Sequence, residues 1–180
     1  MDNTIVDILN FSRNARLDVV YEAISIKNLL NELLSASQYI DGKDQIQKLV
    51  SINEEIELVT DSKRLRMILG NLIGNAIKYS KDDDLLSFIE IKAEVSAEKV
   101  VFTIADNGIG IISTSLDKIF NIFYRATSKA SGSGLGLYIV KEAINKLDGT
   151  ITVESEKNIG TSFKVEIPNK KITNDRQGLN

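Results

Sequence analysis

The middle of the chain carries its clearest helical pattern. Between residues 61 and 80, apolar side chains recur at steps of three and one, which is the spacing of a helix that packs one face on a core. The apolar positions are Leu65, Ile68, Leu69, Leu72, Ile73, Ala76 and Ile77. Asp61 precedes the run and is predicted to cap it, because its carboxylate can accept an N–H of the first turn. We therefore predict one long amphipathic helix at the centre of the fold.

Period-two alternation predicts the strands around this helix. Residues 89 to 95 alternate apolar and charged side chains, as in a half-buried strand, and residues 100 to 105 are predicted to pair with them as a hairpin. In a last hairpin, the strand with Ile151 and Val153 is predicted to face a strand that ends at Pro168. The shorter predicted strands are 22–27, 49–52 and 56–60.

Further helices are predicted on both sides of the central one. The predicted ranges are 3–20, 28–39 with Asn28 as the cap, 116–123, and 134–147 with Gly134 at the start and a stop at Asp148-Gly149. Segments of both kinds mixed along the chain indicate a domain of the α/β class.

Composition narrows the possible functions. The 180 residues suit one domain, and 22 basic against 25 acidic residues give a net charge of −3, which argues against nucleic acid as a partner. The chain has no cysteine and no histidine, so disulfides, thiolate or imidazole metal sites and Ser-His triads are excluded. No apolar run approaches the ~20 residues of a membrane span. A soluble, cytoplasmic location is expected for this chain, which contains no membrane segment.

A polar line runs along the predicted central helix. Asn71, Asn75 and Lys78 fall at i, i+4 and i+7, with Tyr79 beside them. Two carboxamides and an ammonium in line can hold a metal and phosphate oxygens. The alternative is an ordinary solvated helix face.

The segment from Asp106 to Gly110 places a carboxylate at the end of a predicted buried strand. A carboxylate can accept a hydrogen bond from the 6-amino group of adenine, whereas it repels the carbonyl oxygen of guanine. Gly108 and Gly110 would allow backbone to approach a flat ring closely. The alternative is a simple Asp-Asn-Gly turn.

Two more glycine-containing segments follow. Residues 132 to 136 lead into a predicted helix, whose N–H groups and positive end favour phosphate, although the spacing matches neither the Walker nor the dinucleotide pattern. A flexible loop is the alternative there. Gly160 and Thr161 open the last strand, and a plain hairpin turn is the better physical explanation for Gly160.

Taken in order, these segments form a recognisable series. The motifs are Asn71…Asn75-Ala-Ile-Lys-Tyr79, Asp106-Asn-Gly-Ile-Gly110, Ile119-Phe…Phe123-Tyr-Arg125, Gly132-Ser-Gly-Leu-Gly-Leu137 and Gly160-Thr-Ser-Phe163. The series resembles the N box, first glycine box, F box, second glycine box and final glycine-threonine element of the catalytic ATP-binding domain of bacterial sensor histidine kinases, within the GHKL superfamily. The resemblance covers residues 22 to 168.

The resemblance implies a fold, a ligand and roles for individual residues. The fold is a two-layer α/β sandwich of the Bergerat type, a mixed sheet with three helices on one face, and the ligand is ATP with Mg²⁺. Asn75 would bind the metal, Asp106 would read the adenine amino group, and Arg125 would reach the γ-phosphate. The catalytic residues would be Arg125, Lys78 and Asn71. The residues binding the nucleotide would be Asn75, Lys78, Tyr79, Asp106, Gly108, Gly110, Ile111, Gly132, Gly134, Leu135, Gly136, Leu137 and Thr161.

Two departures refine the expected activity. ATPases of the superfamily carry a water-activating Glu where this chain has Asn71, so slow hydrolysis and transfer to another group are expected. Kinases of the family phosphorylate a histidine on a preceding helix pair, and this chain contains no histidine. Residues 5 to 14 look like the tail of the second helix of that pair. The expected division is 1–20 as a remnant of the dimerisation helix, 21–169 as the ATP-binding domain and 170–180 as a flexible tail.

The expected activity is therefore half of a two-component kinase. The chain would bind Mg-ATP and donate its γ-phosphate to a histidine on a separate dimerisation domain, and a response regulator receiver domain would be reached through the full-length kinase. One alternative is an anti-sigma-type serine kinase of the same fold. A second alternative is a non-catalytic module that uses the fold to bind a partner.

Overall fold

A mixed five-stranded sheet is the main layer of the protein. The computed structural model describes residues 12, 14, 16–36, 46–81, 87–127 and 132–171. Within these ranges the strands are β1 (Glu22–Ile24), β2 (Gln47–Asn53), β3 (Leu58–Thr60), β4 (Phe88–Val95), β5 (Lys99–Asp106), β6 (Thr150–Glu156) and β7 (Gly160–Pro168). The helices in the same ranges are α1 (Ile26–Ala36), α2 (Ser62–Lys78) and α3 (Gly136–Lys146), and a short 3₁₀ turn spans Ser113–Ser115.

The strand order of the main sheet is β2-β4-β5-β7-β6. Strand β2 runs parallel to β4, whereas the other three pairings are antiparallel. Both predicted hairpins, β4–β5 and β6–β7, are present. Strands β2 and β3 follow each other along the chain but do not pair, since β3 pairs with β1 in a separate two-stranded sheet.

The core lies between one face of the main sheet and the helices. Phe102, Ile104 and Ile91 point from the sheet into this core, and all seven apolar positions predicted for the central helix are buried. Burying each of the Leu and Ile side chains among them stabilises the fold by about 1.5–3 kcal/mol, which outweighs the ~1 kcal/mol that Gly70 and Gly74 each cost inside α2. The predicted two-layer sandwich with a mixed sheet and three helices is confirmed.

The opposite face of the sheet carries charged side chains. Lys92 pairs with Glu90 at 2.9 Å, and Glu166 accepts from Lys99 at 2.5 Å and Lys164 at 2.8 Å. The hydrogen bonds from Lys164 and Lys99 lower the pKa of Glu166 to about 2, so this face stays charged at any physiological pH. Among the described residues, no helix is long and apolar enough to cross a membrane.

The start of α2 is held by a buried ion pair. The Asp61 carboxylate accepts from the Arg64 N–H at 2.9 Å, as predicted for the cap, and from the Arg64 guanidinium at 2.6 Å. Burial raises the pKa of Asp61, but the hydrogen bonds from Arg64 and Val20 and the Arg64 charge outweigh it, so the pKa is lowered. Arg64 also donates to the carbonyl oxygens of Asn14 and Leu17. The segment before β1 is thus tied to the first turn of α2.

Asn169 connects the two sheets. Its Oδ1 accepts from the Val59 N–H at 2.9 Å, and its Nδ2 donates to the carbonyl oxygens of Glu57 at 3.0 Å and Ser96 at 2.9 Å. The residue after the last strand therefore joins β3 to the β4–β5 turn.

Two predicted helix starts and one predicted helix were wrong. Helix α1 begins at Ile26, not at Asn28, because the Ser25 hydroxyl and the Glu54 carboxylate accept the first N–H groups. Residues 116 to 123 form successive turns, not a helix, because the N–H groups of Leu116, Lys118 and Asn121 bond the carbonyl three residues back. Helix α3 begins at Gly136, because Gly134 has φ +74°, which a helix cannot contain.

The predicted terminal elements are largely outside the described residues. Of the helix predicted over 3–20, residues 12, 14 and 16 are helical and the chain from Leu17 to Tyr21 is not. The end of the predicted 28–39 helix and the tail from 172 onwards also lie outside the described residues.

Candidate functional site

The polar line of α2 faces the glycine-rich segment before α3. Asn71 Nδ2 donates to the Met67 carbonyl at 2.8 Å, which turns Oδ1 away from its own helix. A methyl group added at Gly136 would lie 2.7 Å from Asn71 Oδ1. The amide oxygen therefore lies against the first residue of α3, and a larger residue at position 136 would require the Asn71 side chain to move.

Lys78 reaches the same segment almost two helical turns further along α2. Its ammonium lies 5.0 Å from the centre of the Tyr79 ring, and a methyl group at Gly132 would be 2.6 Å from Nζ. Asn75 lies between Asn71 and Lys78 on α2 and is half-buried. Asn71 and Lys78 thus border one glycine-rich segment, and Asn75 lies between them on the same line of α2.

The end of α2 packs on the loop after β5. The carbonyl oxygen of Tyr79 accepts from the Ile109 N–H at 3.0 Å. A methyl group at Gly108 would be 2.4 Å from that oxygen and 2.8 Å from Asp106 Oδ1. Gly108 is therefore required for the close approach of the Asp106 loop to the end of α2.

The position of Asp106 in the site raises the pKa of its carboxyl group. Burial raises its pKa to about 6, although hydrogen bonds from the N–H groups of Gly108 and Thr161 and the nearby Lys81 charge act in the opposite direction. The Gly108 N–H lies 2.8 Å from Oδ1. The carboxylate is thus held in place by backbone donors and is poorly hydrated, which suits a group that contacts a ligand.

A polar row crosses the sheet at this end. Asp106 pairs with Thr161 across β5 and β7, and Thr161 pairs with Ser155 across β7 and β6. Side chains of such paired residues lie on the same face, next to the buried row formed by Ile104 and Phe163. Ser155 Oγ lies 2.9 Å from Thr161 Oγ1. The polar row therefore borders the core at the helix-covered face.

Two glycines of the site are required by packing within the protein. A methyl group at Gly110 would be 1.9 Å from the Glu156 carbonyl oxygen, and φ at Gly110 is +63°. A methyl group at Gly160 would be 2.0 Å from the Asp106 carbonyl oxygen. Gly160 is thus more than a hairpin turn, because the backbone before the Asp106 loop lies directly against it.

Close contacts explain why residues 132–136 are mostly small. Gly134 lies against the backbone of Phe123, with a methyl group there 2.8 Å from the Phe123 carbonyl carbon. The Leu135 N–H, one of the predicted phosphate donors, is donated to Ser133 Oγ at 3.2 Å. The segment therefore joins the Phe123 turn to the start of α3.

Other predicted residues lie at the margin of this arrangement. Ile111 and Leu137 are half-buried and pack against the core. Arg125 is exposed and follows Phe123, whose backbone contacts Gly134, by two residues. The part of the chain that the structure describes has no cluster of three acidic side chains for a metal. The side-chain oxygens of Asn71 and Asn75 could supply only part of the Mg²⁺ coordination, so waters and phosphate oxygens would have to be the remaining ligands.

Three contributing residues were missed at the sequence level. Ser155 forms a hydrogen bond with Thr161 in the polar row, and the Lys81 charge acts to lower the pKa of Asp106. The Asn107 side chain accepts a hydrogen bond from the Phe88 N–H at 2.9 Å. The alternation of β6 places Ser155 on the same face as Ile151 and Val153, which was the only available signal.

Comparison with known proteins identifies the family of this chain. Residues 60–171 match the family model of histidine kinase-, DNA gyrase B- and HSP90-like ATPases. The chain is 32% identical over 174 residues to the autoinducer 2 sensor kinase/phosphatase LuxQ of Vibrio parahaemolyticus, covering 91% of this chain and 20% of that protein. It therefore spans a minor part of this curated relative.

Solved structures identify which part of such kinases the chain resembles. Full-length ShkA in complex with AMPPNP superposes with a TM-score of 0.75 at 25% identity, covering 91% of this chain and 35% of that one. The catalytic domain of the histidine kinase ThkA gives a TM-score of 0.71 at 28% identity, covering 83% of this chain and 98% of that domain. The resemblance noted from the motifs is confirmed, and the chain belongs to the family of histidine kinase-, DNA gyrase B- and HSP90-like ATPases.

Proposed function

We propose that this chain binds Mg-ATP between α2 and residues 132–136 and supplies the γ-phosphate to a histidine on another domain. The observation that carries the proposal is the convergence of the sequence motifs: Asn71 contacts Gly136, Lys78 contacts Gly132, and Tyr79 contacts Gly108. Family membership and the AMPPNP complex of the similar ShkA structure support adenine nucleotide as the ligand.

The base would lie at the Asp106 end of the site. The carboxylate accepts two backbone N–H groups and retains lone pairs for a donor on the ligand. The exocyclic amino group of adenine offers such a donor, whereas guanine offers a carbonyl oxygen there. We expect Asp106 to select adenine for this reason, with Tyr79 flanking the ribose and base.

The phosphates would lie along the start of α3. The N-terminal end of a helix carries partial positive charge, and the Lys78 ammonium is close to Gly132. Asn75 would hold Mg²⁺, which neutralises phosphate charge when bound. Arg125 would contribute positive charge to the γ-phosphate from the turn beside Gly134.

The side chains favour transfer over hydrolysis. Asn71 cannot act as a general base, and its amide nitrogen is already bonded to Met67. In transfer, a nitrogen of the acceptor histidine attacks the γ-phosphorus, the bond to the bridging oxygen breaks, and ADP leaves. The acceptor would reside on a dimerisation domain, and the phosphoryl group would pass from it to a response regulator.

Titration calorimetry with AMPPNP tests the binding step. We expect saturable heat in the presence of Mg²⁺ and much weaker binding in EDTA. Absence of heat under both conditions would contradict nucleotide binding and favour a partner-binding module.

The transfer step needs a supplied acceptor. Incubation of the chain and labelled ATP with a histidine-bearing domain from a related kinase should give slow formation of acid-labile, base-stable phosphohistidine, because proximity is absent in trans. Acid-stable label on serine in place of phosphohistidine would indicate a serine kinase and refute histidine transfer.

A further inference from the structure

The Ser155 hydroxyl, at the end of the polar row that it forms with Thr161 and Asp106, is fully engaged in hydrogen bonds. Its oxygen lies 2.7 Å from the Gly160 carbonyl oxygen, 2.8 Å from the Ile111 nitrogen and 2.9 Å from Thr161 Oγ1. A hydroxyl has one hydrogen and two lone pairs, so these three partners use its whole capacity.

The directions of these bonds follow from the partners. A carbonyl oxygen only accepts, and two oxygens at 2.7 Å need a hydrogen between them, so Ser155 donates to Gly160. The Ile111 N–H only donates, so it takes one lone pair of Ser155. The remaining lone pair must accept the hydroxyl hydrogen of Thr161. Thr161 Oγ1 therefore presents only lone pairs to its other neighbours.

We propose that Ser155 determines base selectivity by fixing Thr161 as an acceptor beside Asp106. This inference rests on the proposed binding of an adenine nucleotide. The ligand then meets an end of the site composed of a carboxylate and an acceptor hydroxyl, which match an amino group and oppose a carbonyl oxygen. Ser155 is a positioning residue, because it acts through Thr161 and has no direct contact with the base.

A water that bridges Thr161 and the base would be oriented in the same way. Thr161 is 8% exposed, so one ordered water can join it to the base. A water shared between Asp106 and Thr161 must donate both of its hydrogens to these acceptors, and it can then only accept from the ligand. Without Ser155, Thr161 could donate, and the water could turn a hydrogen towards the guanine carbonyl.

The test is the ratio of affinities for Mg-ATP and Mg-GTP, measured by calorimetry. We expect Ser155→Ala to lower the preference for ATP about ten-fold, the usual scale of one polar contact, and Ser155→Thr to restore it because the hydroxyl returns. Ser162→Ala is the matched control, since Ser162 is on β7 but on the opposite face of the sheet from Thr161. It should leave the ratio unchanged.

A double-mutant cycle separates this role from general destabilisation. In a Thr161→Val background, Ser155→Ala should not change the ratio further, because the hydroxyl it orients is absent. An unchanged ratio in Ser155→Ala, or an equal loss with Val at position 161, would overturn the inference while nucleotide binding stands. Failure of the unmodified chain to bind ATP would instead refute the proposed function.

Discussion

Replacing Asp106 by Asn should change how stability depends on pH. The folded chain binds the Asp106 proton more tightly than the unfolded chain, because the pKa is raised from 3.8 to about 6 by burial. This contribution to stability is complete below pH 3.8 and is lost as the pH rises through 6. Asn carries no proton to lose, so the variant lacks this pH dependence.

The size of the effect follows from linkage. A rise from 3.8 to about 6 corresponds to at most ~3 kcal/mol over the whole range, at 1.36 kcal/mol per pKa unit. Between pH 5 and 7.5 the same relation gives about 1.4 kcal/mol, and partial hydration of this half-buried residue reduces it to about 1 kcal/mol. The free energy of unfolding of the variant, relative to the unmodified chain, should therefore rise by that amount over this interval.

Urea unfolding at several pH values measures this difference. Other groups cancel in the subtraction, because both chains carry them. The exposed carboxylate of Asp148 provides the control, and Asp148→Asn should stay parallel to the unmodified chain. If the Asp106→Asn difference is flat between pH 5 and 7.5, the carboxylate is well hydrated and our description of the site is wrong.

Three further substitutions test separate features. Arg64→Gln should lower the free energy of unfolding, measured in urea, by about 3–5 kcal/mol, because Asp61 stays buried without its cation. The control Arg66→Gln, at an exposed ion pair, should lower it by less than about 1 kcal/mol. Equal losses would contradict a buried pair. Gly110→Ala should destabilise the fold by at least ~2 kcal/mol in the same assay, through backbone strain and the contact with Glu156. Gly74→Ala, with open space around it, should stabilise the fold by ~0.5–1 kcal/mol. Unchanged stability in Gly110→Ala would contradict the close contact with Glu156. Asn75→Asp should weaken Mg-AMPPNP binding about ten-fold by charge repulsion with phosphate, and unchanged affinity would exclude the metal role.

The fold was predictable wherever burial is periodic. The α2 stripe and the alternation in β4 reflect contact with a single core, and both appear in the sequence as regular spacing. The predicted helix at residues 116–123 failed because its apolar spacing comes from residues such as Ile119, which is buried within successive turns. Spacing alone does not distinguish these two cases.

The site was predictable as a set of motifs but not as a set of contacts. The spacing of Asn71, Asn75 and Lys78 indicated a polar helix edge, yet its proximity to Gly132 and Gly136 depends on the packing of α2 against α3. Ser155 was missed because its role depends on the register between β6 and β7, and alternation reveals the face of a residue but not its partner.

A crystal structure of the chain with AMPPNP and Mg²⁺ would show whether the nucleotide binds between α2 and residues 132–136. We expect the adenine amino group within hydrogen-bond distance of the Asp106 carboxylate, directly or through one water, with Mg²⁺ on Asn75 and the phosphates beside the start of α3. A nucleotide bound elsewhere, with Asp106 and Asn75 contacting neither base nor metal, would contradict this expectation.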